Sequence, residues 1–285
     1  MEGGAVSLEH LGSRLEAIVR RAAEQGGEVA VSLRHVQRGQ VWEVASEQPF
    51  AAASTIKLPI LVALYEAADR GELSFAEELV VREEDQVGGA GILRLLSPGA
   101  RVAVRDLATL MIAVSDNTAT NMLLDRLGVE RVNATCQRLG LRRTRVAGKL
   151  MIVPTPPRGQ NTVTAGELTD LLVRMAQGAV VSQDACARMI ATLKKQQVND
   201  GLPRLLPPPV AGDAGLGALR SWEWAHKTGS IDRHEHDVGL LFLPGQTVAV
   251  SVLTRGLPNP VGKEVLATVG RAVYEAFTGP GADSG

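Results

Sequence analysis

The chain has 285 residues, 45% of them hydrophobic and 21% charged, with a formal net charge of −1. That length suits one large domain or two interlocked lobes with a sizeable core. A near-neutral balance without a long basic run speaks against a nucleic-acid partner, and no run of about 18 apolar residues offers a transmembrane segment.

Leu8, Leu11, Leu15, Ile18, Val19 and Ala22 recur at helical spacing, which predicts an amphipathic helix over Ser7–Glu24, ended by Gly26-Gly27. Two β-rich segments follow, Val29–His35 and Val41–Ala45, joined through Arg38-Gly39-Gln40. A helix-rich block comes next: Ile56–Arg70, Val104–Val114, Asn117–Leu127, Val129–Leu139, Thr164–Met175 and Ser182–Lys194. Three of these end at a glycine (Gly71, Gly128, Gly140). Strands return at Trp224–Gly229, Val238–Leu243 and Val248–Thr254, before a last helix over Lys263–Phe277. The tail Gly279–Gly285 is expected to be disordered, and Pro207–Pro209 with Ala211–Ala218 to be an exposed insertion.

This order predicts an α+β fold: a five-stranded antiparallel sheet flanked by the N- and C-terminal helices, with an inserted all-helical lobe. The sheet lobe would comprise residues 1–53 and 196–285 and the helical lobe 54–195. A ligand cleft is expected at their junction. With only four Phe, three Trp and two Tyr, the core must be built from Leu, Val, Ala and Ile.

Three short motifs carry chemistry. Ser54-Thr55-Ile56-Lys57 places a serine and a lysine on one face of a helix start. A desolvated lysine there has a lowered pKa and can take the serine proton. Ser115-Asp116-Asn117 sits where two predicted helices meet, with Asp116 suited to holding the turn or capping the second helix. In Lys227-Thr228-Gly229-Ser230, strand alternation puts Lys227 and Gly229 on one face and Thr228 and Ser230 on the other.

Taken in order, the three motifs resemble those of class A β-lactamases and penicillin-binding proteins. The resemblance runs from about Ala30 to Phe277 and includes Asn161-Thr162-Val163-Thr164-Ala165, similar to the segment that closes the family's Ω-loop. It implies a serine hydrolase acting on β-lactams through an acyl-enzyme on Ser54. Lys57 would be its base, and Ser115 and Lys227 the proton-relay pair. Asn117, Thr228, Gly229 and Ser230 would bind substrate: Asn117 at an amide, the two hydroxyls at a carboxylate, and Gly229 by leaving room. Amides of Ser54 and Ser230 would form the oxyanion hole. The alternatives are an esterase, a D-alanyl peptidase, or a protein that binds β-lactams or muropeptides and stays acylated.

One landmark of the resemblance is missing. The family carries a deacylating glutamate between these flanks, but Arg145–Gln160 here contains no Asp or Glu. Three consequences stay open: a long-lived acyl-enzyme, water activated by neutral Lys57, or a carboxylate supplied by Asp232, Glu235 or Asp237. Slow deacylation is the expectation.

No metal or organic cofactor is implied. His234-Glu235-His236-Asp237 lacks a third ligand at metal spacing and is expected on an exposed hairpin loop, and Gly88–Gly91 is expected to be a flexible lip rather than a phosphate loop. Arg204, Arg233 and Arg255 are candidates for a substrate carboxylate, with a solvated surface role preferred for each. Cys136 and Cys186 are expected to be buried and unpaired. A monomer is expected. The N-terminus has no signal-like segment, which leaves the compartment open: cytoplasmic as given, or exported with a signal removed.

Overall fold

In a computed structural model of the chain, residues 8–150, 159–208 and 222–278 are described. The opening helix α1 (Leu8–Glu24) leads into strands β1 (Glu28–His35), β2 (Val41–Val44) and β3 (Phe50–Ala51). A 3₁₀ turn over Ala53–Ile56 then feeds helix α2 (Lys57–Asp69). Strands β4 (Glu78–Val80) and β5 (Arg101–Ala103) precede helices α3 (Val104–Ala113), α4 (Asn117–Leu127) and α5 (Val129–Arg138). Strand β6 (Thr162–Val163) is followed by α6 (Ala165–Ala176) and α7 (Gln183–Leu193). The chain closes with β7 (Glu223–Ile231), β8 (His234–Leu243), β9 (Gln246–Arg255) and α8 (Asn259–Thr278).

The predicted α+β architecture is what forms. Five strands make one antiparallel sheet in the order β2-β1-β9-β8-β7. Helices α1 and α8 pack together on one face, while α6 lies against β1, β8 and β9 on the other. Sandwiching explains why Val248–Thr254 reads as a continuous apolar run: β9 is buried on both faces. Leu11 and Leu15 of α1 pack with Val250, Val252 and Val269, and the second core runs from Ala30 and Leu253 into Ile60, Leu64, Leu123 and Leu168. No helix among the described residues is long and apolar enough to cross a membrane.

Four details differ from the sequence reading. The His234–Asp237 segment is not a loop: it opens β8, and Glu235, His236 and Asp237 are buried. The hairpin instead turns at Asp232-Arg233, with Arg233 at φ 54°. Second, α2 begins at Lys57, not at Ile56. Pro59 then stands third in the helix, where its missing N–H removes no intrahelical bond. Third, two two-stranded ladders, β3 with β6 and β4 with β5, were too short to show as periodicity. Fourth, Gly88–Gly91 is tied down, because Ala90 and Gly88 carbonyls accept hydrogen bonds from the Asn117 backbone and side chain.

Both cysteines are buried and unpaired. Burial pushes the Cys136 thiol up to about 12, far from a reactive thiolate. The expected insertion over Ala211–Ala218 and the tail from Gly279 lie outside the described residues.

Candidate active site

Ser54 stands in the 3₁₀ turn between β3 and α2, after Ala53 at φ 44°. That left-handed backbone on a non-glycine residue is a strained way to turn, tolerated where surrounding contacts enforce it. Here the Ala52 carbonyl accepts from both the Thr55 amide and the Thr55 hydroxyl, at 3.0 and 2.6 Å. The Ala52 amide donates to the Asn161 carbonyl at 2.8 Å. One turn on, Lys57 is fully buried.

The loop between α3 and α4 is the second strained point. Ser115 has φ 56°, which interrupts the two helices and sends its side chain between two lysines. Lys57 Nζ donates to the Ser115 carbonyl at 2.7 Å, to Ser115 Oγ at 3.1 Å and to Asn117 Oδ1 at 2.8 Å. From the opposite side, Lys227 Nζ donates to Ser115 Oγ at 3.1 Å and to the Thr228 carbonyl at 2.7 Å. Asp116 caps α4 through Ala119 N and uses its second oxygen to accept from the Ile92 and Leu93 amides. The capping and turn-holding readings are both met by this one side chain.

Burial sets the electrostatics. It drives the Lys57 pKa well below its ordinary value, and the neighbouring Lys227 charge adds to the fall, while Asp116 opposes it. Burial also takes Lys227 down to about 7, against an opposing pull from Asp237. The three acceptors around Lys57 favour its ammonium form, but desolvation is the stronger influence and shifts the balance toward the neutral amine.

Strand β7 closes the site. Lys227 and Gly229 share the inward face, as alternation requires. A Cβ on Gly229 would lie 3.1 Å from the Ser54 and Thr55 amide nitrogens, so the glycine admits the turn that carries Ser54. Ser230 and Ile231 line the outer cavity, but the Ser230 hydroxyl donates to Glu235 Oε1 at 2.7 Å. Asp237 accepts from the Leu202 amide and pairs with His226 Nδ1 at 2.8 Å, so neither Glu235 nor Asp237 forms an acidic rim.

A cavity of about 570 Å³ opens beside these groups, lined among others by Ser54, Asn117, Lys149, Leu150, Asn161 and Ser230. Two residues to which sequence reasoning gave no role fasten this lining. Asn121 clamps Leu150 through both backbone groups, accepting from its amide at 2.8 Å and donating to its carbonyl at 3.0 Å. Asn161 Oδ1 accepts from the Ala147 and Gly148 amides, pinning the segment's neck. The signal for Asn121 was its position four residues after Asn117 on one helix face. Glu167, the next acid after the carboxylate-free stretch, is spent on the Arg143 and Thr144 amides and the Thr144 hydroxyl.

The remaining candidates lie elsewhere. Arg204 pairs with Glu264, Arg255 with Glu28, and Arg233 donates to the Gly256 carbonyl, so all three serve the surface. His236 donates to the Ala51 carbonyl and accepts from the Thr254 amide, and burial lowers its pKa to about 4. Its ring is committed as a neutral strut behind the Ser54 segment.

A β-lactamase from Sphaerobacter thermophilus superimposes with a TM-score of 0.85 at 32% identity, covering 93% of this chain and 97% of that one. PBP-A, solved as a point variant in an acyl-enzyme complex with penicillin G, gives a TM-score of 0.81 at 32% identity, covering 95% and 97%. A β-lactamase from Rhodobacter capsulatus is 26% identical over 66% of this chain, a match spanning 65% of that enzyme's length. The family model described as the β-lactamase enzyme family matches residues 10–277. The chain belongs to the β-lactamase enzyme family, the serine β-lactamase-like hydrolases that include penicillin-binding relatives.

Proposed function

We propose that this protein opens β-lactams by forming an acyl-enzyme on Ser54 and clears that acyl group slowly. The cleft would lie between a sheet lobe, residues 1–53 and 196–285, and a helical lobe, residues 54–195, of a monomer. The observation that carries the reading is the buried chain Lys57–Ser115–Lys227, whose two 3.1 Å contacts converge on one hydroxyl beside the Ser54 turn.

Neutral Lys57 takes the Ser54 proton as Oγ attacks the lactam carbonyl carbon. The amides of Ser54 and Ser230 receive the developing oxyanion. The C–N bond then breaks, Ser115 passes its proton to the departing nitrogen, and Lys227 or the now-charged Lys57 restores it. Asn117 holds an amide of the substrate as well as Lys57. Thr228 would meet the substrate's remaining polar group.

Deacylation is where this site differs. Arg145–Gln160 offers no carboxylate, Leu150 lines the cavity where water would need activation, Glu167, Glu235 and Asp237 are engaged elsewhere, and among the described lining residues only Asp232 brings a carboxylate. Loss of a positioned base costs about 10²–10⁴-fold in the step it serves. The same observation favours a second reading, a β-lactam binder that stays acylated.

Intact-protein mass followed over time with excess benzylpenicillin, with Ser54→Ala as control, tests the proposal. An adduct on the wild type alone, decaying slowly as hydrolysed penicillin accumulates, is the expected result. A persistent adduct supports the binder, and an adduct on the Ser54→Ala protein overturns the serine assignment.

A further inference from the structure

Strand β3 is only two residues long, yet it delivers the chain to the Ser54 turn. Its pairing with β6 is limited to Phe50↔Val163 and Ala51↔Thr162, a short ladder on which to hang a strained turn. A link to the main sheet comes from His236. This residue of β8 stands directly opposite Gly229 of β7, and opposite residues of an antiparallel pair share a face. Gly229 offers no side chain there, and the imidazole spans to the Ala51 carbonyl with Nε2 at 2.8 Å.

The ring's partners dictate where its proton sits. A carbonyl only accepts, so Nε2 carries the hydrogen. The Thr254 amide donates to Nδ1 at 3.2 Å, so that nitrogen is bare. The β8–β9 ladder ends at His236↔Leu253, and the ring takes up the next amide of β9. His236 is fully buried. Burial lowers its pKa to about 4, so the ring is neutral at ordinary pH. Phe50 meets it edge-on at 6.1 Å, and the Arg255 guanidinium lies over Phe50 at 4.8 Å.

Ala51 is three positions before Ser54, with Ala53 at φ 44° between them. A backbone held in that region persists only where its surroundings enforce it. Two facing positions of the sheet do so here: Gly229 lets the turn approach, and His236 holds the strand that leads into it.

We propose that His236, acting through the Ala51 carbonyl, is a positioning residue that sets where the Ser54 turn stands against Lys57, Lys227 and the Ser230 amide. The inference rests on the acyl-serine reading above and adds to it a residue that touches no substrate. Without the tether, β3 loses its hydrogen bond to β8, and misplacing a reacting group by about 1 Å costs up to about 10²-fold in rate. The loss falls on the acylation step and not on binding, because His236 lies behind the cavity lining.

The test compares His236→Asn with His236→Gln. The shorter amide places its oxygen where Nδ1 stood, so it keeps the Thr254 bond and stops short of Ala51. The longer amide brings an N–H to the place of Nε2 and keeps the tether. Acylation by benzylpenicillin, read by intact mass over a range of concentrations, separates the maximal rate from the half-saturating concentration. His236→Asn is expected to lower the maximal rate by about tenfold or more and leave the half-saturating concentration unchanged. His236→Gln should stay within about threefold of the wild type. A folded His236→Asn protein with the wild-type maximal rate overturns the inference, and so does a His236→Gln protein as slow as His236→Asn. Should the variants not fold, nitrogen-15 NMR of the wild-type imidazole decides: a proton on Nε2 is expected, and a proton on Nδ1 overturns the tether. Absence of a Ser54-dependent adduct on the wild type overturns the acyl-serine reading itself, and this inference with it.

Discussion

Gly229 and Ser54 stand back to back: the hydrogen that replaces a side chain on Gly229 points at the Ser54 and Thr55 amides, with 3.1 Å left for any Cβ. The contact fixes how far the Ser54 turn lies from strand β7, and therefore from Lys227 and Ser230 on the same strand. It also explains why a glycine occurs in a strand that is otherwise well packed.

Gly229→Ala should therefore injure chemistry more than folding. The methyl group must displace the Ser54 turn by a few tenths of an ångström, and small misplacements of reacting groups are costly. Acylation by benzylpenicillin is expected to slow by about tenfold or more. Thermal unfolding of the same variant should move by only a few degrees. Wild-type acylation in Gly229→Ala would refute the assigned role.

The two buried lysines predict a bell-shaped pH profile for acylation. In the proposed mechanism Lys57 works as the neutral amine, so rates climb as pH rises through its lowered pKa. Lys227 is charged only below about 7, so its contribution fades as pH rises past that value. Lys227→Arg keeps a charge at every accessible pH and should flatten the alkaline limb. Stopped-flow acylation between pH 5 and 9, about two units either side of neutrality, reads the alkaline limb set by Lys227.

Leu150 gives a prediction of opposite sign. Its backbone is clamped by Asn121 and its side chain lines the cavity shared with Ser54. Placing a carboxylate there with Leu150→Glu should speed loss of the penicilloyl adduct by at least about tenfold and leave its formation nearly unchanged. Adduct decay at the wild-type rate would show that the limiting factor is not the missing base.

Asp116 is the structural counterpart. Its carboxylate accepts from the amides of Ala119, Ile92 and Leu93, so one side chain caps α4 and fastens the cleft's lip. Asp116→Ala leaves three amides without their acceptor, at a cost of about 3 kcal/mol. For a chain of this size that corresponds to a melting temperature lower by about 10 °C. Calorimetry on the variant measures it directly.

Much of this was legible in the chain because the chemistry is local. Ser54 and Lys57 are three residues apart, and Ser115 and Asn117 two apart, so a short motif fixes their mutual placement once the backbone turns. What was hidden depends on partners far away in sequence. Charged residues at His234–Asp237 read as solvent-exposed, yet Glu235 is satisfied by Asn259 and Asp237 by His226 and the Leu202 amide. Local composition cannot reveal a buried charge whose partners come from β7, α8 and the segment before them. The same holds for Gly229: its neighbour is a turn 175 positions earlier in the numbering.

The sheet order has a consequence for how the protein is made. Strands β1 and β2 are synthesised first, but β9, the partner of β1, comes near the end, and β7 reaches the Ser54 turn only with β8 at its side. A nascent chain that has emerged through α7 already holds Ser54, Lys57, Ser115 and Asn117. It lacks Lys227 and the strand that seats the serine. On the proposed acyl-serine reading, reactivity toward an electrophile would be withheld until the last quarter of the chain is in place, and covalent capture of a reactive lactam would report completed folding.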